Sequence, residues 1–133
     1  MEENIRILKE KKITHGVVEL RSDNILTFRP DIVTFKEFNL QILNDLLEVF
    51  MEITNGVPRP YLCGDTYSTG IVSKEELDFM SKHYPSFATK AAMITQSPVA
   101  RVLADTYNST FNPTVKLGAF SSEKSAIEWP LQE

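Results

Sequence analysis

TKAAMITQSPVARVLADTYNSTFNPTVKLGAFSSEKSAIEW, residues 89–129, reads as two β-α units in succession. Ala91, Ala92, Met93 and Ile94 form an apolar run too short for a helix and without the alternation of a half-wet strand, so it suits a strand covered on both faces. Ser97 offers a hydroxyl to the free N–H groups of a following helix. Pro98 sits at its first position, where a missing N–H costs nothing. Val99, Val102, Leu103, Thr106, Tyr107 and Thr110 recur at steps of three and four and predict a buried stripe, with Arg101, Asp105 and Asn108 facing water. Asn112 and Pro113 stop the helix. Val115, Leu117, Ala119 and Phe120 give the next strand. Ser121 or Ser122 with Glu123 opens a last short helix, expected to run through Trp129 and end before Pro130. Two strands joined by one such helix are expected to be parallel neighbours with a right-handed crossover.

Working backwards, residues 61–64 (Tyr61, Leu62, Cys63, Gly64) make another short buried strand, which ends at Asp65 and leads into the polar loop 66–70. Ser73 with Glu76 forms a capping box, and Val72 with Leu77 a hydrophobic staple, for a helix whose narrow stripe is Leu77, Met80 and Tyr84. Thr34 with Glu37 forms a second capping box, and Val33 with Phe38 a second staple, at the head of the longest helix. Its stripe runs through Phe35, Phe38, Ile42, Leu46, Val49, Phe50 and Ile53, and Asn55-Gly56 caps its end. Residues 13–20 and 25–28 read as two strands of a hairpin turned by Ser22, Asp23 and Asn24. Val18, Leu20, Leu26 and Phe28 then share one face, and Glu19, Arg21, Thr27 and Arg29 the other. Residues 1–12, with Ile5, Ile7 and Leu8 among Lys9, Lys11 and Lys12, read as solvated surface.

The order is therefore β-β-α-β-α-β-α-β-α, an α/β fold with a mixed, mostly parallel sheet of about five strands and an N-terminal β-hairpin. Strand 25–28 is expected to lie parallel beside strand 61–64, because the long helix is a crossover of the right length. The strand around 16–20 is then expected to be antiparallel and at the edge.

Composition narrows the functional classes. With 133 residues, 42% hydrophobic and 24% charged, the chain suits one domain with its own core. A single cysteine, Cys63, excludes an internal disulfide and a multi-cysteine zinc cage. A net charge of -4 and no dense basic face argue against nucleic acid. No apolar run reaches the length of a membrane span or resembles a signal peptide, so a cytoplasmic protein is expected. His15 and His83 are the only histidines and have no metal-ligand spacing. No P-loop, dinucleotide fingerprint or nucleophile elbow is present, so no catalytic, metal or cofactor residue is assigned.

The segments RPYLCGD, SKEELDFM, AAMITQSPVARVLADTYNSTFNPTVKLGAF and SSEKSAIEW resemble the small SpoIIAA-like, STAS-related domains of bacteria. The most specific parts are Ser97-Pro98-Val99-Ala100-Arg101 and residues 126–129. The resemblance implies a SpoIIAA-like mixed sheet and, in many members, a dimer. Anti-sigma factor antagonists carry an Asp-Ser-Ser-Gly turn whose serine is a phosphorylation switch; here the equivalent is Asp65-Thr66-Tyr67-Ser68-Thr69-Gly70, without that motif. Asp65, Thr66, Tyr67, Ser68, Thr69 and Ser73 remain the expected ligand or regulatory loop, since open α/β sheets bind ligands beyond the carboxyl ends of their strands. The leading expectation is a non-enzymatic regulatory or protein-interaction domain that binds another protein or itself. The alternative is a binder of an apolar or lipid ligand held between the long helix and the sheet.

Overall fold

Among the described residues, six strands follow one another across a mixed sheet in the order in which the chain makes them. In this computed structural model, residues 6–31, 39–64, 74–96 and 98–131 are described. The strands are β1 (Ile7–Ile13), β2 (Gly16–Arg21), β3 (Leu26–Pro30), β4 (Arg59–Cys63), β5 (Ala88–Ile94) and β6 (Leu117–Phe120). The helices are α1 (Leu40–Thr54), α2 (Lys74–His83), α3 (Pro98–Phe111) and α4 (Glu123–Leu131). β1, β2 and β3 form an antiparallel meander, and β3 through β6 are parallel. The expected pairing of the third strand with the fourth is observed, with Leu26 opposite Tyr61 and Phe28 opposite Cys63.

Two expectations are corrected at the N-terminus. The sheet has six strands rather than about five, and the strand around residues 16–20 is not at the edge, because β1 lies outside it. The run 13–20 breaks at Thr14 and His15, where the chain reverses into β2. Gly16 makes this possible: its φ is 151°, and a Cβ there would collide with the Arg29 carbonyl and come within 2.9 Å of the Phe28 ring. The charges that suggested plain surface are compatible with a strand because Lys9 and Lys11 stand over α1. The Lys9 Nζ donates to the Ile53 carbonyl at 3.2 Å, and Lys11 pairs with Glu52 at 2.7 Å.

Because the parallel strands advance in one direction, right-handed crossovers place α1, α2 and α3 on the same face. One continuous core results, joining Val18, Leu20, Leu26, Phe28, Tyr61 and Leu117 of the sheet to residues of all three helices. Its centre is aromatic: the Phe50 ring lies 4.6 Å from Phe87, 5.0 Å from Tyr61 and 6.5 Å from Phe28. Burying each such side chain stabilises the fold by roughly 1.5–3 kcal/mol. α4 returns over the opposite face, where Ala126 packs with Ile25, Leu62 and Ala92. The small side chains of Ala91 and Ala92, 0% and 1% exposed, let helices approach the sheet from both sides.

The helix boundaries differ in places from the sequence expectation. α1 begins at Leu40, with Asn39 accepting from the Ile42 N–H at 2.9 Å, while the Val33/Phe38 staple and the Thr34/Glu37 box lie outside the described residues. Asn55 at φ 56° and Gly56 at φ 77° end it, as expected. The Ser73 cap and Val72 staple of α2, the Ser97 cap of α3 and the Trp129 side chain also lie outside the described residues. α4 continues through Pro130 to Leu131. α3 is rotated about its axis relative to the expected stripe. Of that stripe, Tyr107 is buried at 1% and Leu103 packs against the core as expected, whereas Val99 and Val102 are 52% and 64% exposed and Ala104, outside the stripe, is buried at 2%. Asn108 does not face water; its side chain donates to the Leu117 carbonyl at 2.8 Å and accepts from the Leu117 N–H at 2.9 Å, fastening α3 to the start of β6.

Candidate functional site

The parallel strands β3, β4 and β5 end on one edge of the sheet, where their chains turn into the following helices. The Gly64 N–H donates to the Phe28 carbonyl at 2.7 Å, closing β4 onto β3 just before the chain enters residues 65–73. Asp65, Thr66, Tyr67, Ser68, Thr69 and Ser73, the loop expected to carry a ligand or regulatory role, lie outside the described residues. What is described at this edge is a polar clasp. The β1–β2 turn brings His15 to α1, where its Nε2 lies 2.9 Å from the Asp45 Oδ2, and Gln41 donates to the Asp45 Oδ1 at 2.9 Å. The Asp31 N–H donates to the His15 carbonyl. The hydrogen bond from His15, then that from Gln41, hold the Asp45 carboxyl below its usual pKa. This geometry fixes a turn against a helix, and Thr14 and His15 thereby join the antiparallel meander to α1.

Behind the clasp the core holds one buried thiol and three tyrosines. Cys63 is buried, with Tyr61 and Tyr84 beside it. Burial first, and then the neighbouring Cys63 charge, pushes both phenols above their usual range. Burial pushes Tyr107 up to about 12, with the Ser81 hydroxyl pulling the other way. All three phenols therefore stay protonated. The space between α1 and the sheet, expected as a possible apolar ligand pocket, is occupied by Leu43, Leu46, Val49, Phe50 and Ile53 packed on the strands.

A cavity of about 300 Å³ lies elsewhere, on the opposite face, where the open half of the sheet meets the flank of α4. It is lined by Ile7, Arg21, Arg29, Glu123 and Ile127. Alternation along β2 and β3 puts Glu19, Arg21, Thr27 and Arg29 on this face, as their spacing predicts. The turn residue Asp23 accepts from the Arg21 Nε and Nη2 at 3.1 and 2.7 Å. Glu19 accepts from the Arg29 Nε at 3.0 Å, and Thr27 donates to the same carboxylate at 3.4 Å. Glu19, Arg21 and Thr27 are 8%, 9% and 3% exposed, so the two charges among them are largely desolvated and hydrogen-bonded rather than a loose polar surface. The alternation made the shared face legible; the α4 side of the cavity, Glu123 and Ile127, comes from far away in sequence.

Among the described residues, no group of three or more His, Cys, Asp or Glu is placed to hold a metal ion. No helix among them is long and apolar enough to cross a membrane. No curated protein matches the chain, and no solved structure does. Residues 18–132, from the start of the β2 core through α4, match the family model described as Domain of unknown function (DUF7793), and the chain belongs to that family.

Proposed function

We propose that this chain is a non-enzymatic interaction domain of SpoIIAA-like, STAS-related type that binds a protein partner by strand addition at β1. The observation that carries this reading is the edge itself. β1 is seven residues long and ends the sheet among the described residues, and Ile7 and Leu8 are 44% and 57% exposed on it. An added strand would gain main-chain hydrogen bonds from the ladder and apolar contacts at these two side chains. The lysines and the register shift between Ile7 and Lys9 blunt indiscriminate pairing, so a partner has to match them.

In the registers that use the length of β1, a different chain suits this edge better than a second copy does. A two-fold pairing of β1 with itself, centred on any residue from 9 to 12 and keeping the helices on one side, sets like charges directly opposite, which is destabilising. The favoured partner is therefore an extended segment of another sequence that does not set a lysine opposite Lys9, Lys11 or Lys12. The test is affinity capture from the native cell with the wild-type chain and with Leu8→Glu, followed by hydrogen exchange on the complex. The reading expects a partner that Leu8→Glu releases and that slows exchange of the amides of residues 7–13. A partner that is retained by Leu8→Glu, or that leaves those amides unprotected, would contradict it. Light scattering on the isolated chain separates the self-pairing case: a concentration-dependent dimer abolished by Leu8→Glu would replace the foreign partner with a second copy.

A further inference from the structure

Arg21 and Arg29 flank one cavity, and each has its Nε side anchored by a carboxylate. Asp23 grips the Arg21 Nε and Nη2, and Glu19 grips the Arg29 Nε. The remaining Arg21 contact is of another kind. Its Nη1 lies 3.7 Å from the Glu123 Oε1, an ion pair too long to be a hydrogen bond, and the Glu123 side chain is 55% exposed while that of Arg21 is 10% exposed. A nine-tenths buried guanidinium therefore meets, at the cavity wall, a carboxylate that is loosely held and half in water. Arg29, with its side chain 59% exposed, uses one of its five N–H donors on Glu19. The other wall is apolar, formed by Ile7 of β1 and Ile127 of α4.

We propose that this cleft binds a small organic anion, with a carboxylate or phosphate head between Arg21 and Arg29 and a short aliphatic body against Ile7 and Ile127, and that Glu123 competes with the ligand for Arg21. The volume of about 300 Å³ lies at the lower end of small-molecule sites and suits a ligand of a few carbons. Guanidinium groups already fixed by floor carboxylates are preorganised, so the ligand does not have to order them, and their planar donors match a carboxylate or phosphate. Glu19 and Asp23 engage the arginines from their Nε sides. Glu123 is the negative group lining the cavity itself, and it can swing into water at little cost because its contact with Arg21 is long and exposed. The site is thus an exchange of one anion for another. It shares Ile7 with the β1 edge, but its anion subsite lies on β2 and β3 and does not require that edge to be occupied.

The probes are hexanoate, acetate and inorganic phosphate, titrated into the full chain while the methyl resonances of Ile7 and Ile127 are followed. The proposal expects saturable binding of hexanoate that shifts both methyls, at least tenfold tighter than acetate. Arg29→Gln weakens binding at least tenfold, and an unchanged amide spectrum of the free variant shows that the Glu19 side of the web still folds. Glu123→Gln tightens it about fivefold, the equivalent of one exposed ion pair. Failure of hexanoate and phosphate to saturate would overturn the site. So would unchanged affinity in both variants, which would mean adventitious association elsewhere. Phosphate binding as tightly as hexanoate, with both effects of the variants preserved, would overturn the aliphatic part and leave a phosphate site.

Discussion

The two halves of the sheet are built on different terms. In the parallel half, β4 and β5 are covered on both faces, and Leu62, Ala91 and Ala92 are 2%, 0% and 1% exposed. In the antiparallel half, α1 covers one face, while the other carries Glu19, Arg21, Thr27 and Arg29 in a web of charged hydrogen bonds. A sheet covered twice is held by apolar area and has little polar chemistry to offer. A sheet covered once has to manage a second face, and here that face holds buried charge and a cavity. The difference is why both proposed binding surfaces lie on the meander, while the parallel strands are closed by apolar packing.

The largest effect should come from the seam between the halves. Phe50 touches Phe28 of β3, Tyr61 of β4 and Phe87, so Phe50→Ala should cost about 3–5 kcal/mol in denaturant unfolding, with both halves melting together. Separate transitions would mean that the halves are not one cooperative unit. Next comes Gly16→Ala, which drives a Cβ onto the Arg29 carbonyl at a backbone angle that favours glycine. It should cost about 1–3 kcal/mol, and loss of cross-peaks should be confined to β1, β2 and β3. Asn108→Ala removes both side-chain hydrogen bonds to Leu117 and should cost about 1–3 kcal/mol, read as faster exchange in β6 while β2 is unaffected.

A smaller effect is expected at the clasp that ties the meander to α1. The pKa of Asp45 is depressed in the folded state, so its contribution is fully present above the ordinary value of 3.8 and is lost as pH falls through the lower folded value. The stability gap between wild type and Asp45→Asn should therefore narrow below pH 3.8; a gap unchanged down to pH 2 would show that the His15–Asp45 contact is not formed in solution. Smallest of all is Lys11→Ala, which loses an exposed pair with Glu52 worth about 0.2–1 kcal/mol, measurable by chemical denaturation at low salt.

The same contrast explains what could be read from the residues. Short apolar runs and caps located β4, β5 and the C-terminus of α1, because buried parallel strands are unbroken in hydrophobicity and Asn55-Gly56 supplies left-handed geometry. β1 was hidden because its lysines lie over α1 through contacts with Glu52 and Ile53, which local pattern does not reveal. The stripe of α3 holds at Leu103 and Tyr107 and fails at its first turns for a related reason. Valines weigh more than alanine in a hydrophobic periodicity, but the sheet takes Ala104 at close range and leaves Val99 and Val102 in water. The shared face of Arg21 and Arg29 was legible from alternation, while the cavity needed Glu123 and Ile127, brought over by α4. The Asp65–Ser73 loop expectation stands on residues outside those described.

Native-state hydrogen exchange on the isolated chain tests the division most directly. The account predicts that the amides of Leu62, Ala91 and Ala92 exchange only through global unfolding, whereas those of Lys9 through Lys12 exchange through local opening at a much lower free energy, as an open edge requires. Protection of the β1 amides equal to that of Ala92 would contradict it, since the meander would then be as closed as the parallel half.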